Sequence, residues 1–226
     1  MSPEEVEREH REKLGDEFGG VYYALYTEVA WLHVKWREYC ALYGTSPERI
    51  ELLNRAAPRF FSNLDGVLWE DVLLHICRIT DRPSIGRYKQ LTIRRLPVYV
   101  SDLAFKTEIE SLVDAAVRAC AFARDWRDVH ISHRSLKRAL DESSRSLAHA
   151  SRLSVNEALA ALDAVIERVH ERFLGHALSL DVAGEAGDAL DLLAVLVEGV
   201  DAIEAREQRF RDGTMTPQDL APRRAV

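Results

Sequence analysis

The sequence predicts an all-α protein, a mostly antiparallel helical bundle. Three observations predict it. Apolar residues recur at three and four positions through almost the whole chain, which is the helical period. Gly 11 and Pro 7 are low counts for 226 residues, as long uninterrupted helices require. No Gly-rich phosphate loop, no strand hairpin and no repeat of fixed period is visible. Apolar residues make up 47% of the chain, a composition that folds around a core.

The elements follow in order. The first dozen and a half residues, rich in Glu, Arg and Lys, read as an acidic lead-in helix over residues 1–18. An aromatic-rich helix then carries Tyr22, Leu25, Tyr26, Val29, Leu32 and Trp36 on helical spacing and stops near Gly44. Ser46-Pro47-Glu48 is a start signal, with Pro at the first helical position. A third helix runs through NLDGVLWEDVLLHICRIT and ends before Asp81-Arg82-Pro83, because Pro83 cannot continue it. A shorter helical piece covers residues 84–96 and stops at Pro97. A long helix is expected from about Ser101 to Trp126, with Ile109, Val113, Ala116 and Cys120 on its apolar side. Ser154 and Glu157 stand in capping-box spacing at the head of the next helix, and the last runs from about Gly187 to Arg211. The expected organisation is the lead-in helix over 1–18, one domain over 19–211 and a flexible tail over 212–226.

Several function classes are set aside by bulk properties. No apolar run approaches the roughly 18 residues of a membrane span. The charged start has no apolar signal core, and Cys40, Cys77 and Cys120 form no CxxC pair, so a reducing, cytoplasmic setting is expected. His170-Glu171 lacks the second histidine of a HExxH site, since position 174 is Leu174. No metal and no other cofactor is expected. The net charge of −7 argues against a surface that grips nucleic acid everywhere. Yet residues 77–152 hold fifteen Lys/Arg against nine Asp/Glu, which points to one local anion-binding surface or to a chance alternation of charge.

Within that basic middle lies RDWRDVHISH, residues 124–133, with two interlocked copies of one spacing. Arg124 precedes His130 by six positions, Arg127 precedes His133 by six, and each Arg is followed by an Asp, Asp125 or Asp128. An Arg guanidinium matches phosphate oxygens, and a His moves protons near neutral pH. Extending the stripe through Val113, Ala116 and Cys120 by seven residues lands on Arg127 and leaves Arg124 toward solvent, so Arg127 with His133 is the preferred pair. Asp128 would orient Arg127 or an imidazole. The structural alternative is a helix end whose cations complement the helix dipole, with the aspartates as local ion-pair partners. On an unbroken helix Arg127 and His133 would lie roughly 120° apart, so either the helix breaks or a second subunit completes the site. Upstream, His75, Arg78 and Arg82 share helical-neighbour spacing and would extend a phosphate track, or form a solvated helix side. Arg87, Tyr88, Lys89, Arg94 and Arg95 would hold single-stranded RNA, or make an ordinary basic loop.

The segment Arg127-Asp128-Val129-His130-Ile131-Ser132-His133 resembles the signature of HEPN domains (higher eukaryotes and prokaryotes nucleotide-binding): Arg, a polar residue, a few spacers, then His. With LLHICRITDRPS upstream and the aromatic-rich helix, the chain resembles the AbiU-type abortive-infection branch. The resemblance implies a HEPN-like helical fold and a metal-independent endoribonuclease with an antiviral or toxin role. It implies catalysis by Arg127, Asp128 and His133 in the cleft of a homodimer. Arg124, His130, Arg78 and Arg82 would bind the RNA, and an antitoxin or regulator protein is a further candidate partner. Many HEPN domains are noncatalytic modules that bind RNA or a partner protein, and that is the alternative.

Overall fold

Local sequence starts and stops most of the helices where side chains can satisfy their ends. In a computed structural model, which describes residues 2–44, 46–131, 150–176, 178, 180 and 187–220, the elements are α1 (Pro3–Leu14), α2 (Asp16–Tyr39), a π turn (Cys40–Gly44), α3 (Pro47–Ala56) and α4 (Pro58–Thr80). A hairpin of β1 (Ser84–Ile85) and β2 (Tyr88–Lys89) follows, then a 3-10 helix (Ile93–Tyr99), α5 (Leu103–Ala119), α6 (Ala121–Trp126) and a second π turn (Arg127–Ile131). Beyond them lie α7 (Arg152–Leu174), α8 (Ala189–Arg211) and a short 3-10 turn (Pro217–Leu220). The fold is all-α apart from that small hairpin.

The chain divides into two compact units, residues 1–36 with 68–183 and residues 37–67 with 184–226. In the first, the pairing of side chains shows the helix directions. Along α2, Tyr22 Oη donates to the Ile166 carbonyl at 3.1 Å, His33 Nε2 meets Asp163 at 2.7 Å, and Trp36 Nε1 donates to Asn156 at 2.7 Å. Numbers rise on α2 as they fall on α7, so the two are antiparallel. Lys35 with Asp71 and Glu28 with His75 make α4 antiparallel to α2. Glu108 with Arg168 and Asp102 with Arg172 do the same for α5 and α7. Between these helices Leu25, Val29, Leu32, Leu73, Ile76, Ile109, Leu162 and Ile166 are essentially fully buried, the apolar burial that dominates the folding free energy. In the second unit α3 packs Leu52 and Leu53, and α8 buries Leu193 and Val200. Arg55 of α3 donates to Glu204 of α8 at 3.0 Å.

Several expectations are corrected. The lead-in helix, expected over 1–18, ends at Leu14 and is capped by Ser2 and Glu5. A Cβ at Gly19 would stand 2.5 Å from the Arg11 Cα and the His10 carbonyl oxygen, so only glycine lets α1 lie this close to α2. Residues 84–89 are a hairpin, not a helix. Gly86, at φ +58°, takes the first position of a two-residue loop, a place that favours glycine. Pro97 does not stop its segment but sits inside the 3-10 helix. The helix expected from 101 to 126 breaks at Cys120 (φ −85°, ψ 3°). Helix α7 is capped by Ser151, whose Oγ accepts from Ser154 N, rather than by Ser154. Where a flexible tail was expected from residue 212, the described stretch to 220 folds back. The buried Asp219 carboxylate takes Arg209 Nε at 3.0 Å and Thr216 N at 2.9 Å, and Arg209 holds it well below the usual carboxylate range.

The join of α1, α2 and α7 is a cluster of imidazoles. His10 and His170 are both buried, their ring centroids 5.9 Å apart, and His176 stacks edge-on to His170 at 4.6 Å. Tyr22 Oη meets His170 Nδ1 at 3.1 Å, and His176 Nδ1 meets His170 Nε2 at 3.2 Å. Burial, with His176 and His10 as neighbours, pushes His170 down to about 4, while Glu9 opposes the shift weakly. Burial lowers His10 as well. At His170 an unfolded chain therefore takes up a proton below about pH 6.5 that the folded chain refuses until about pH 4. Unfolding free energy should hold above about pH 6.5 and fall as pH drops from there toward 4, with a slope of up to about 1.4 kcal/mol per pH unit for one proton. Urea unfolding across this range checks it. His170→Gln should flatten the slope, and an equally steep wild-type and variant profile would remove the cluster as its cause.

Candidate functional site

The site is built outward from the end of α4. A helix C-terminus leaves carbonyls without intrahelical donors. Here Thr80 and Asp81 collect donors from three later segments. Arg94, in the 3-10 helix, gives Nε to the Thr80 carbonyl at 2.9 Å. Arg124, in α6, gives Nη1 to Thr80 Oγ1 at 2.8 Å and to its carbonyl at 3.3 Å, and gives Nη2 to the Val117 carbonyl near the end of α5. Thr92 Oγ1 donates to the Asp81 carbonyl at 2.8 Å. Arg127, the first residue of the second π turn, donates Nη1 to both carboxylate oxygens of Asp81, each at 2.8 Å.

This arrangement separates the two copies of the Arg/His spacing. Arg124 is not turned to solvent as the helical extension predicted. The break at Cys120 resets the helical phase, Ala123 becomes buried, and the Arg124 guanidinium turns back onto the ends of α4 and α5. Arg127 is half-buried, its side chain 24% exposed. Its Nε donates to Asp128 at 2.8 Å, so two carboxylates hold it in place. Its Nη2 makes no hydrogen bond among the described residues. Burial disfavours the charge, but the bonds to Asp81 and Asp128 outweigh it and keep the guanidinium firmly protonated.

The other predicted residues are placed as follows. Asp128 is exposed and bound to Arg127. His130 is exposed, its ring edge-on to Trp126 with centroids 5.6 Å apart. His133 lies outside the described residues. Arg78 and Arg82 are exposed on and just past the end of α4. His75 does not join them: it is buried against Glu28 at 2.8 Å, and burial lowers its pKa. The stripe of Ile109, Val113, Ala116 and Cys120 is consumed within the chain, where α5 packs on α7, and offers no surface to a partner. Cys77 and Cys120 are buried, and burial pushes their thiols up to about 11 and about 12, so neither is a reactive thiolate. Among the described residues no group of three or more His, Cys, Asp or Glu side chains is arranged to hold a metal ion, and no helix is long and apolar enough to cross a membrane.

Sequence reasoning missed Asp81 and Thr80. The signal is present in ITDRP, an acid at the point where Pro83 ends the helix. The helix also unwinds at the motif. The π turn over Arg127–Ile131 is wider than an α turn, so the straight-helix separation of about 120° does not apply from Arg127 onward.

The chain is thus all-α, with Arg127 of its Arg-Asp pair seated on the residue that follows a core helix. Residues 15–192 match the AbiU2 family of HEPN domains, and the chain belongs to that family. Neither the curated proteins nor the solved structures compared with it give a match.

The geometry separates Arg124 from Arg127 by a stability measurement. Arg124→Ala leaves the Val117 carbonyl and the Thr80 hydroxyl without their charged donor, and should lower unfolding free energy by about 1–3 kcal/mol. Denaturant titration checks it. A variant as stable as wild type, but deficient in RNA binding, would return Arg124 to the contact role that its sequence position suggested.

Proposed function

We propose that the protein is a metal-independent endoribonuclease of an abortive-infection system. The observation that carries this reading is Arg127, seated by Asp81 and Asp128 at a widened turn, in a chain of the AbiU2 HEPN family. RNA supplies its own nucleophile. The 2′-oxygen attacks the adjacent phosphorus as its proton passes to a base, and the bond to the 5′-oxygen breaks as that oxygen takes a proton. The products are a cyclic phosphate and a free 5′-hydroxyl. His133 is the acid/base of this reading, and Arg127 meets the charge that gathers on the phosphorane oxygens. Asp81 and Asp128 fix the guanidinium so that little reorganisation is needed at the moment of reaction. Two such motifs brought together in a homodimer would enclose one phosphate, through a surface other than the α5 stripe.

One observation favours a second reading, a noncatalytic module that binds RNA or a partner protein. Arg127 lies between two carboxylates, so the three side chains together carry a net negative charge, which weakens the pull on a phosphate.

Cleavage, binding and assembly measurements decide. In folded protein, His133→Ala should lower RNA cleavage by about 10²-fold or more with RNA affinity nearly unchanged, and Arg127→Ala should lower both. EDTA should leave cleavage intact. A wild-type protein that binds RNA but never cuts it, over varied substrates, would establish the binding module instead. Light scattering at tens of micromolar should give a two-fold dimer, and a monomer there would count against the shared cleft.

A further inference from the structure

The hairpin between α4 and the 3-10 helix is built like a contact surface and not like a structural strand pair. Residues 82–101 contain no Asp or Glu, yet they hold Arg82, Arg87, Lys89, Arg94 and Arg95. Arg94 is committed to the Thr80 carbonyl, and Arg95 reaches the Pro83 carbonyl at 3.4 Å. Arg82, Arg87 and Lys89 are exposed. The strands are two residues each, Ser84 opposite Lys89 and Ile85 opposite Tyr88, and every residue from 82 to 89 is exposed. Ile85 is 57% exposed and Tyr88 62%. So short a hairpin draws little stability from its own pairing. It is held at its base instead, where Gln90 N donates to the Pro83 carbonyl at 2.9 Å and Thr92 ties down Asp81. The tip carries the chemistry. The Arg87 guanidinium lies over the Tyr88 ring at 5.2 Å and donates to its hydroxyl at 3.1 Å, which leaves an aromatic surface beside cations.

A cationic strip with an exposed aromatic ring fits a polyanion whose flat groups are free to stack, namely single-stranded nucleic acid. Charge alone would suit any anionic surface, but the ring adds affinity for unpaired bases that a duplex keeps stacked inside itself. The strip also begins at Arg82, the residue after Asp81, so a strand lying along it reaches the carboxylate that seats Arg127. We infer that the Pro83–Lys89 hairpin is the arm that holds single-stranded RNA, with Tyr88 stacking on a base and Arg82, Arg87 and Lys89 following the phosphates. The inference rests on the RNA-directed reading of the Arg127 site, yet it concerns binding and not cleavage.

The test uses the full chain and a fluorescent 12-nucleotide RNA bearing 2′-O-methyl groups, which cannot be cut by attack of the 2′-oxygen. Tyr88→Ala should weaken binding by about five- to a hundredfold, the range of one lost base stack, with the salt dependence little changed. Tyr88→Phe should retain most of the affinity. Arg87→Ala with Lys89→Ala should reduce the slope of log affinity against log salt by about 1.4, at about 0.7 per lost phosphate contact. A blunt RNA duplex should bind more weakly and feel Tyr88→Ala less. All these residues are exposed, so melting temperatures should match wild type. Cleavage that fails while these effects stand would overturn the nuclease reading and leave the arm in place. Cleavage and binding that both survive the hairpin variants would overturn the arm. So would a wild-type chain that ignores single-stranded RNA, or one that uses the hairpin only on vesicles of phosphatidylserine and phosphatidylcholine.

Discussion

A helix that ends inside a protein must find donors for its last carbonyls, and α4 ends where water has little access. Its terminal Thr80 is fully buried, and the Thr80 carbonyl accepts from Arg94 and Arg124. The next residue, Asp81, binds Thr92 through its carbonyl and Arg127 through its carboxylate. Four side chains from residues 92 to 127 thus converge on two adjacent residues. The base of the hairpin, the 3-10 helix and the junction of α5 with α6 are all referred to one point. Helix α4 is itself fixed by Val72, Leu73, Ile76, Cys77 and Ile79 in the core. The placement of Arg127 is therefore a consequence of core packing, transmitted through one ion pair.

That ion pair has a particular form. Arg–carboxylate pairs often use two nitrogens in a fork. Here one nitrogen, Nη1, meets both oxygens of Asp81, and Nε is taken by Asp128. The guanidinium is thus held on two sides. Arg124, three residues earlier on the same stretch, spends its nitrogens on two carbonyls and a hydroxyl. One cation closes helix ends and the other is oriented by acids. The difference arises from the break at Cys120 and the widening at Arg127, which turn neighbouring residues of one helical run toward different partners.

How much of this the sequence disclosed follows from what each feature depends on. Helices α2, α4, α5 and α7 were legible because their apolar positions repeat over many turns, and a long repeat survives local irregularity. Caps were legible only where a single residue decides them, as Ser46 does for α3. The break at Cys120 was not legible: no Gly or Pro marks it, and Cys120 is a small buried residue that fits the apolar stripe of a continuous helix. The hairpin at Ser84–Lys89 was missed because two-residue strands carry no period. The candidate site was legible as a motif and not as a constellation. Arg127 and Asp128 are adjacent in sequence and were singled out together. Asp81 is 46 residues from Arg127, and no local pattern joins them. Arg124 was misplaced because the helical wheel was carried through a residue that does not continue the helix.

The acids around Arg127 bear on how a phosphate would be accepted there. A carboxylate a few ångströms from the landing place repels an approaching polyanion, and the repulsion is strongest where water is excluded. Binding energy must then come from parts of the substrate that do not react, which is a general way for an enzyme to offset an unfavourable ground state at the reacting group. The exposed cations nearest in sequence lie on either side of Asp81, at Arg78, Arg82, Arg87 and Lys89, in a stretch otherwise free of acids. A strand gripped there would be carried toward Arg127 despite Asp81 and Asp128, and a free phosphate would gain nothing from the arm. On the proposed reading, the same acids would lower affinity for small anions and so favour long single strands over mononucleotides. They would also keep Arg127 from being occupied by the simple phosphates of its surroundings.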